Sequence, residues 1–215
     1  MNTEALIAKL ARDLRPVEAG ASTATLRRGW LLGGATALAG LLLWPSLGVR
    51  QDIVPALLTT AFWIKAFYTL SVAWISFTAL DLLGRPDAEE PQWLQILAPP
   101  LVLLVLVTIL HLAITPKSSE TSFWMGASWR QCPVYVVTFA APVYAGLMFA
   151  LSRLAPTRLR AAGATAGLVA GATGATIYGL HCAESSPGFV MLWYSLGLAA
   201  SGFAGAVAGP RLLRW

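Results

Sequence analysis

Residues 177–194 read IYGLHCAESSPGFVMLWY, and this stretch decides how the rest of the chain must be arranged. It places His181, Cys182 and Glu184 in a short polar turn between two strongly apolar runs. An apolar helix of about 20 residues matches the hydrocarbon core of a bilayer. The stretch therefore predicts two membrane-spanning helices joined by a turn that carries reactive side chains.

The composition of the whole chain favours the same class. Of its 215 residues, 57% are hydrophobic and 12% are charged, whereas a typical soluble domain has about 25% charged residues. The net charge is +5, but the basic residues lie beside the apolar runs rather than in a stripe with interleaved aromatic residues. They therefore predict membrane orientation and no direct contact with nucleic acid.

A polar leader precedes a series of apolar segments. Residues 1–28 form the leader and its linker, and residues 29–215 form the predicted transmembrane domain. The predicted fold is all-α, an integral membrane bundle of six helices with a short amphipathic cytoplasmic helix at the N-terminus. The first segment is expected to remain as an anchor because no small-residue cleavage signature follows it. The six predicted spans cover residues 29–48, 54–83, 92–115, 132–151, 159–180 and 189–208.

The distribution of Lys and Arg predicts the orientation. The leader, the turns at 84–91 and 152–160 and the C-terminal tail together carry eleven basic residues, and the opposite side carries three. Basic residues accumulate in cytoplasmic loops. We therefore expect a multi-pass protein of the bacterial inner membrane with both termini in the cytoplasm, which an even number of spans also requires.

The leader has the spacing of an amphipathic helix. In TEALIAKLARDLRPV, residues 3–17, Leu6, Leu10 and Leu14 share one face with Ile7 beside them, and Pro16 closes the run. The helix could lie on the lipid surface or pack on the bundle. It could equally dock its leucine face into the groove of a partner protein. Residues 18–25, rich in Ala, Ser and Thr, are expected to be a linker.

Both cysteines and both histidines of the chain are predicted to lie at one membrane face. His111 falls near the outer end of the third span, Cys132 begins the fourth, and His181 and Cys182 follow the fifth. In a Gram-negative cell this face is the periplasm, where disulfides persist.

Three interpretations of these residues remain open. Each could be an ordinary structural residue. Cys132 and Cys182 could form a disulfide, which requires Cα atoms within about 7 Å. They could also form a thiol sensor that reacts with oxidants or, with His181, holds a divalent metal ion, with Glu184 as a further ligand or as a group that orients the imidazole. The spacing matches no standard zinc motif.

Lys65 lies inside the second apolar segment, where an ammonium group is costly. The aromatic residues around it favour a side chain that extends to the interface. Alternatively, Lys65 tunes the pKa of a nearby thiol.

Small residues recur every fourth position in the last two segments, a pattern that lets helices approach closely in lipid. It predicts contact between these two helices or with a second copy of the chain, as a homodimer. The residues are Gly163, Gly167 and Gly171 in the fifth segment and Ser201, Gly205 and Gly209 in the sixth.

The leader, the six segments, Cys132 and the pattern HC-x-E-x4-F-x3-WY together resemble the NrsF-type negative regulators of an extracytoplasmic-function sigma factor of the sigma-F kind. The pattern is matched by His181, Cys182, Glu184, Phe189 and the pair at 193–194. The resemblance covers nearly the whole chain.

The resemblance implies an anti-sigma factor of the inner membrane. Such a protein holds its sigma factor inactive and releases it under heavy-metal or oxidative stress, with Cys132 and Cys182 as the sensing pair. The leader then becomes the candidate partner-binding segment. Besides membrane lipid, the implied partner is the sigma factor, and no cofactor is required. The leader residues assigned to this contact are Leu6, Ile7, Leu10, Leu14, Arg15 and Pro16; the residues assigned to metal binding or thiol tuning are His181, Glu184, His111 and Lys65.

Two other functional classes compete with this prediction. A membrane thiol-disulfide oxidoreductase also needs cysteines at helix ends, but it would relay electrons through a second pair or a quinone, and this chain has two Cys and no CxxC. A small transporter would account for Lys65 and Asp81 as intramembrane charges, but the two halves of the sequence show no repeat. No catalytic motif is evident, so we expect no enzyme activity.

Overall fold

The computed structural model describes residues 3–12, 20–85, 93–116 and 120–214, and in these ranges all regular structure is helical. The all-α prediction is therefore confirmed. A π-helical turn, Val190–Tyr194, connects the short helix Pro187–Phe189 to the helix Ser195–Leu212 without a break. The helices are α1 Thr3–Arg12, α2 Ala21–Leu43, α3 Ile53–Leu57, α4 Thr60–Leu83, α5 Trp93–Ile114, α6 Glu120–Met125, α7 Cys132–Leu151, α8 Leu159–Tyr178, α9 Pro187–Phe189 and α10 Ser195–Leu212.

Four helices in the described part of the chain are long and apolar enough to cross a membrane. They are Thr60–Leu83, Leu97–Ile114, Cys132–Leu151 and the continuous helix Pro187–Leu212. The other two predicted spans correspond to α2 and α8, which have 23 and 20 residues and are rich in Gly, Ala and Thr. Small residues lower the mean hydropathy of a helix while allowing it to pack closely against its neighbours.

Helix α8 lies at the centre of the bundle and packs against α4, α7 and α10. Its glycines have no room for a side chain: a Cβ on Gly163 would meet the carbonyl oxygen of Gly205, and a Cβ on Gly167 would meet that of Ser201. The predicted contact between the last two apolar segments is therefore confirmed within one chain. The small-residue faces of α8 and α10 are occupied by each other.

A second close pair of helices, α2 and α7, depends on small residues that the sequence pattern does not single out. A Cβ on Gly33 would lie 2.7 Å from the carbonyl oxygen of Pro142, and Gly29 lies directly against the backbone of Gly146. Side-chain hydrogen bonds also join α8 to two of its neighbours, α2 and α4. Trp30 Nε1 donates to Thr173 Oγ1 at 2.9 Å, and Thr176 Oγ1 donates to Thr69 Oγ1 at 2.9 Å.

Two predicted boundaries differ from those observed. Helix α2 begins at Ala21, so the part of the expected linker from residue 21 onward is helical. The predicted span at 54–83 is divided into α3 and α4, because Thr59 adopts an extended conformation and its hydroxyl accepts a bond from the Phe62 amide at 3.4 Å. Ser and Thr favour this capping position. Pro133 lies in the first turn of α7, and Pro142 lies inside that helix.

The bundle has two ends of different chemistry. The thiol end consists of residues 44–59, 115–116, 120–131 and 179–186, and the arginine end consists of residues 84–85, 152–160 and 211–214. At the arginine end, Arg85 donates to the carboxylate of Asp81 at 3.2 Å. The residues that the sequence predicts to be reactive lie mainly at the thiol end.

Candidate functional site

The two cysteines lie at the thiol end and are both buried free thiols. Cys132 is the first residue of α7, and Cys182 follows the last turn of α8, where its amide donates to the Tyr178 carbonyl at 2.9 Å. Ser128 contacts both segments: its carbonyl accepts the Cys132 amide at 3.0 Å, and its hydroxyl lies 3.9 Å from Cys182 Sγ. Cys132 and Cys182, 50 positions apart in the sequence, are thus connected through one serine.

Lys65 binds the segment that carries Cys182. Its side chain is 4% exposed, and Nζ donates to the carbonyl oxygens of Cys182 at 2.9 Å and Glu184 at 3.3 Å. The ammonium also lies 5.7 Å from the centre of the Tyr194 ring. The prediction that Lys65 extends to the membrane interface is therefore wrong. The group points into the bundle because the carbonyls of 182–184 have no helical partner there and can satisfy a buried charge.

Glu184 connects the same segment to the loop before α7. Its Oε1 accepts the amides of Ala127 at 2.7 Å and Ser128 at 3.3 Å. This contact requires glycine at position 126, where φ is +56° and a Cβ would lie 2.7 Å from the Glu184 carboxylate. Glu184 therefore binds backbone amides, and the bond that orients the imidazole of His181 comes from elsewhere.

His181 contacts the connection after α2. Its Nδ1 lies 3.0 Å from the carbonyl oxygen of Gly48, and the Arg50 amide donates to the Leu180 carbonyl at 3.1 Å. Gly48 has φ +78°, a conformation that favours glycine. The turn after α8 is thus held by residues from α4, from the connection after α2 and from the loop before α7.

Arg50 and Asp52 form an exposed pair beside this turn. Arg50 Nε donates to Asp52 Oδ1 at 2.7 Å. This hydrogen bond lowers the pKa of Asp52 below its ordinary value and raises the pKa of Arg50. Because the carboxyl pKa is lowered on folding, the pair stabilises the fold above the ordinary pKa of Asp and stops doing so as the pH falls through the lowered value.

Aromatic side chains cover the thiol site on the side that faces the interior of the bundle. Tyr178 and Tyr194 are both buried, with ring centroids 6.3 Å apart. The hydroxyl of Tyr194 is buried and has no hydrogen-bond partner in the described structure. Trp193 Nε1 donates to the carbonyl of Trp124 at 2.9 Å, which fixes α6 against the π-helical turn. The sequence signal for these residues was the aromatic end of the motif at 189–194.

The predicted metal site does not form as a group of ligands. Among the described residues, no three His, Cys, Asp or Glu side chains are placed to hold one ion. The imidazole of His181 is directed to Gly48, and Nδ1 of His111 lies 3.2 Å from the carbonyl of Val107 in its own helix.

The leader residues are described in part. Helix α1 covers Thr3–Arg12, with Leu6 and Ile7 exposed. Leu14, Arg15 and Pro16 lie outside the described residues, and the side chain of Leu10 is not described. The helical prediction is confirmed for residues 3–12, and the partner contact stays a prediction.

Comparison with known proteins identifies the family. A family model described as "NrsF: Negative regulator of sigma F" matches residues 10–215. The chain belongs to the NrsF family. The "Probable anti-sigma-F factor NrsF" of Azospira oryzae is 35% identical over 217 residues, and the "Anti-sigma-F factor NrsF" of Caulobacter vibrioides is 37% identical over 221 residues, each covering 100% of both chains. No solved structure matches the chain.

Membership of the NrsF family confirms the resemblance drawn from the motif around Cys182. The named relatives are anti-sigma-F factors, and the family description implies a regulatory role rather than catalysis. Within this NrsF-family chain, His181 contacts the connection after α2 at Gly48, whereas Cys182 and Glu184 both contact the loop before α7 at Ser128. The residues of the motif therefore stabilise the fold of one connection and do not form a set of metal ligands.

Proposed function

We propose that this chain is an anti-sigma factor of the bacterial inner membrane that captures an extracytoplasmic-function sigma factor and releases it when Cys132 and Cys182 react with oxidants or heavy-metal ions. The observation that carries the proposal is the full-length similarity to anti-sigma-F factors. The thiol site adds a physical route by which a stimulus could act.

The membrane placement is proposed with six spans, formed by α2, α4, α5, α7, α8 and the helix Pro187–Leu212. Two of the six, α2 and α8, are less apolar than the four that meet the length and hydropathy requirement. Helix α8 is surrounded by other helices, and a helix enclosed by protein needs fewer apolar residues than one that faces lipid. The basic residues at the arginine end support a cytoplasmic location for that end and for both termini.

The sensing mechanism follows from the burial of both thiols. Cys132 is 0% exposed and Cys182 is 3% exposed, so an added oxygen atom or a bound soft metal ion finds no free space. Packed interiors respond to such additions by discrete shifts. Since Lys65 binds the Cys182 carbonyl, a shift of the 179–186 turn acts directly on α4. A shift at Cys132 acts on α7, which ends at the arginine end.

Release of the sigma factor requires that the reaction at the thiols favour one conformation over another. A modification shifts an equilibrium only by its difference in free energy between the two states. We therefore expect the factor by which thiol modification changes sigma-factor affinity to equal the factor by which sigma-factor binding changes the equilibrium constant of that modification. The divalent-metal alternative needs only the two thiolates, because His181 is directed to Gly48.

We expect Cys132→Ser and Cys182→Ser each to abolish stress-induced release while leaving capture intact. The reason is that each variant removes one of two thiols whose joint reaction is proposed to move α4 and α7. The measurement is labelling of intact cells with a membrane-impermeant alkylating reagent before and after stress, together with the membrane-bound fraction of the sigma factor. The double variant is a labelling blank because the sequence has two cysteines. Normal release from the double variant would contradict the thiol mechanism.

We expect replacement of Leu6, Leu10 and Leu14 by Ser to free the sigma factor while the chain stays in the membrane. The change removes the leucines of the predicted amphipathic face, and loss of such anchors weakens a helix-in-groove contact by roughly 100-fold or more. The measurement is co-purification of the sigma factor with the detergent-solubilised chain. Ala5→Ser with Ala8→Ser, on the opposite face of α1, is the matched control. Continued capture by the leucine variant would move the contact to the turns at 84–91 and 152–160.

A further inference from the structure

A groove at the arginine end lies between the start of α8 and the last turns of α10. It has a volume of about 530 Å³ and adjoins a second groove with which it shares Arg160, Pro210 and Arg214. Arg211 also lines the first groove. Three arginines, Arg160 in α8, Arg211 in α10 and Arg214 just beyond α10, therefore line one cavity, which neither the thiol site nor the leader includes.

The described residues that line this groove supply no negative charge to balance its arginines. None of the described lining residues is acidic. The salt bridges between described residues that join Arg50 to Asp52 and Arg85 to Asp81 do not include Arg160, Arg211 or Arg214. Arg211 Nη1 donates one hydrogen bond to the Val207 carbonyl oxygen at 3.2 Å. A guanidinium has five N–H donors in a fixed fork, a geometry suited to the oxygens of a phosphate.

The remaining wall of the groove is apolar and belongs to a membrane span. Phe203, which is 74% exposed, and Val207, which is 47% exposed, lie within the helix Pro187–Leu212. Phe203, Val207 and Arg211 follow one another at intervals of four, so they share one face of the helix. An apolar surface therefore continues directly from the guanidinium groups towards the bilayer core.

We propose that this groove binds an anionic phospholipid, whose headgroup phosphate contacts Arg160, Arg211 and Arg214 and whose acyl chain lies along Phe203 and Val207. Basic pockets between helices at the cytoplasmic side of a membrane protein suit such headgroups. A soluble partner could reach the arginines but not a wall that lies at the depth of the acyl chains. The inference rests on the membrane placement proposed above and does not depend on sigma-factor binding.

The test measures binding of phosphatidylglycerol to the full chain, purified free of lipid in a neutral detergent, by native mass spectrometry. We expect phosphatidylglycerol to bind at least 10-fold more tightly than phosphatidylcholine. The variant Arg160→Gln/Arg214→Gln should bind phosphatidylglycerol about 30-fold more weakly, at about fivefold for each arginine near an anionic surface. Arg27→Gln/Arg28→Gln, at the start of α2 and outside the groove, should change the affinity by less than threefold.

Other outcomes overturn the proposal. Equal binding of the two lipids, or equal losses in the groove variant and in its control, would show that the groove has no specific role. Displacement of the lipid by equimolar inorganic phosphate would indicate a site for a free anion. If the groove variant bound phosphatidylglycerol as tightly as the unchanged chain but no longer captured the sigma factor, the arginines would be assigned to a protein contact. Arg160→Lys/Arg214→Lys, which keeps both charges, should retain most of the affinity, and loss of binding in this variant as well would contradict the charge argument.

Discussion

Gly205→Ala is expected to lower the free energy of unfolding by about 2 kcal/mol and the Tm by roughly 6 °C. A Cβ at position 205 would meet the carbonyl oxygen of Gly163 and lie 3.1 Å from the Cα of Gly167. These neighbours are backbone atoms of α8 and cannot turn aside as a side chain can. Helices α8 and α10 must therefore separate, and in a bilayer their association depends mainly on close packing. The measurement is thermal unfolding of the detergent-solubilised chain.

Gly34→Ala is the matched control for this prediction. A Cβ at position 34 in α2 would lie 3.9 Å from Thr173 Cγ2, an ordinary contact. The same chemical change should leave the Tm unchanged or raise it slightly, because Ala favours a helix over Gly by about 1 kcal/mol. Equal effects at 34 and 205 would contradict the packing argument. A lower Tm for Gly205→Ala alone would establish that the contact between α8 and α10 stabilises the fold.

Lys65→Met is expected to lower the free energy of unfolding by about 3 kcal/mol and to expose Cys182 to alkylation. The variant keeps a long side chain in α4 but removes the donor to the buried carbonyls of Cys182 and Glu184. Unpaired buried carbonyls favour a conformation in which the 182–184 segment reaches water. In a Cys132→Ser background, a neutral alkylating reagent should therefore modify Cys182 at least about 10-fold faster than in the same background with Lys65.

Phe67→Met supplies the control on the same helix, since Phe67 is 58% exposed and the substituting residue is the same. It should change neither the Tm nor the alkylation rate by more than the experimental error. A second comparison is Glu184→Gln, which retains an oxygen that can accept the amides of Ala127 and Ser128. If Lys65→Met and Phe67→Met gave the same alkylation rate, Lys65 would not be the group that holds the turn.

The sequence predicts those features of the thiol end that depend only on position along the chain. Cys132 and Cys182 were placed at the same end of the bundle by counting spans, and the structure places them on either side of Ser128. The contact between the small-residue faces of α8 and α10 was also predictable, because a four-residue period marks one face of a helix. These predictions needed only helical geometry and alternation of direction.

The hydrogen-bond partners of the polar groups around the turn at 179–186 could not be predicted from helical geometry. Lys65 was expected at the interface, yet it binds carbonyls 117 and 119 positions away in the sequence. In one of the interpretations left open by the sequence, Glu184 and His181 act together, yet they bind separate connections, at Ala127 and at Gly48. Each outcome depends on which unpaired backbone groups a loop presents, and a loop has no period from which to predict them.

The sequence by itself determined that the chain is helical, that its apolar segments are separated by short polar connections, and that its reactive residues lie in those connections. These properties follow from composition and from the spacing of apolar, basic and small residues, which act locally along each helix. The tertiary structure alone decided that α8 is the central helix, that Lys65 is buried, and that three connections close over Cys182. The reason is that backbone donors and acceptors at helix ends must find partners within the folded chain, and only the assembled bundle fixes which groups are within reach.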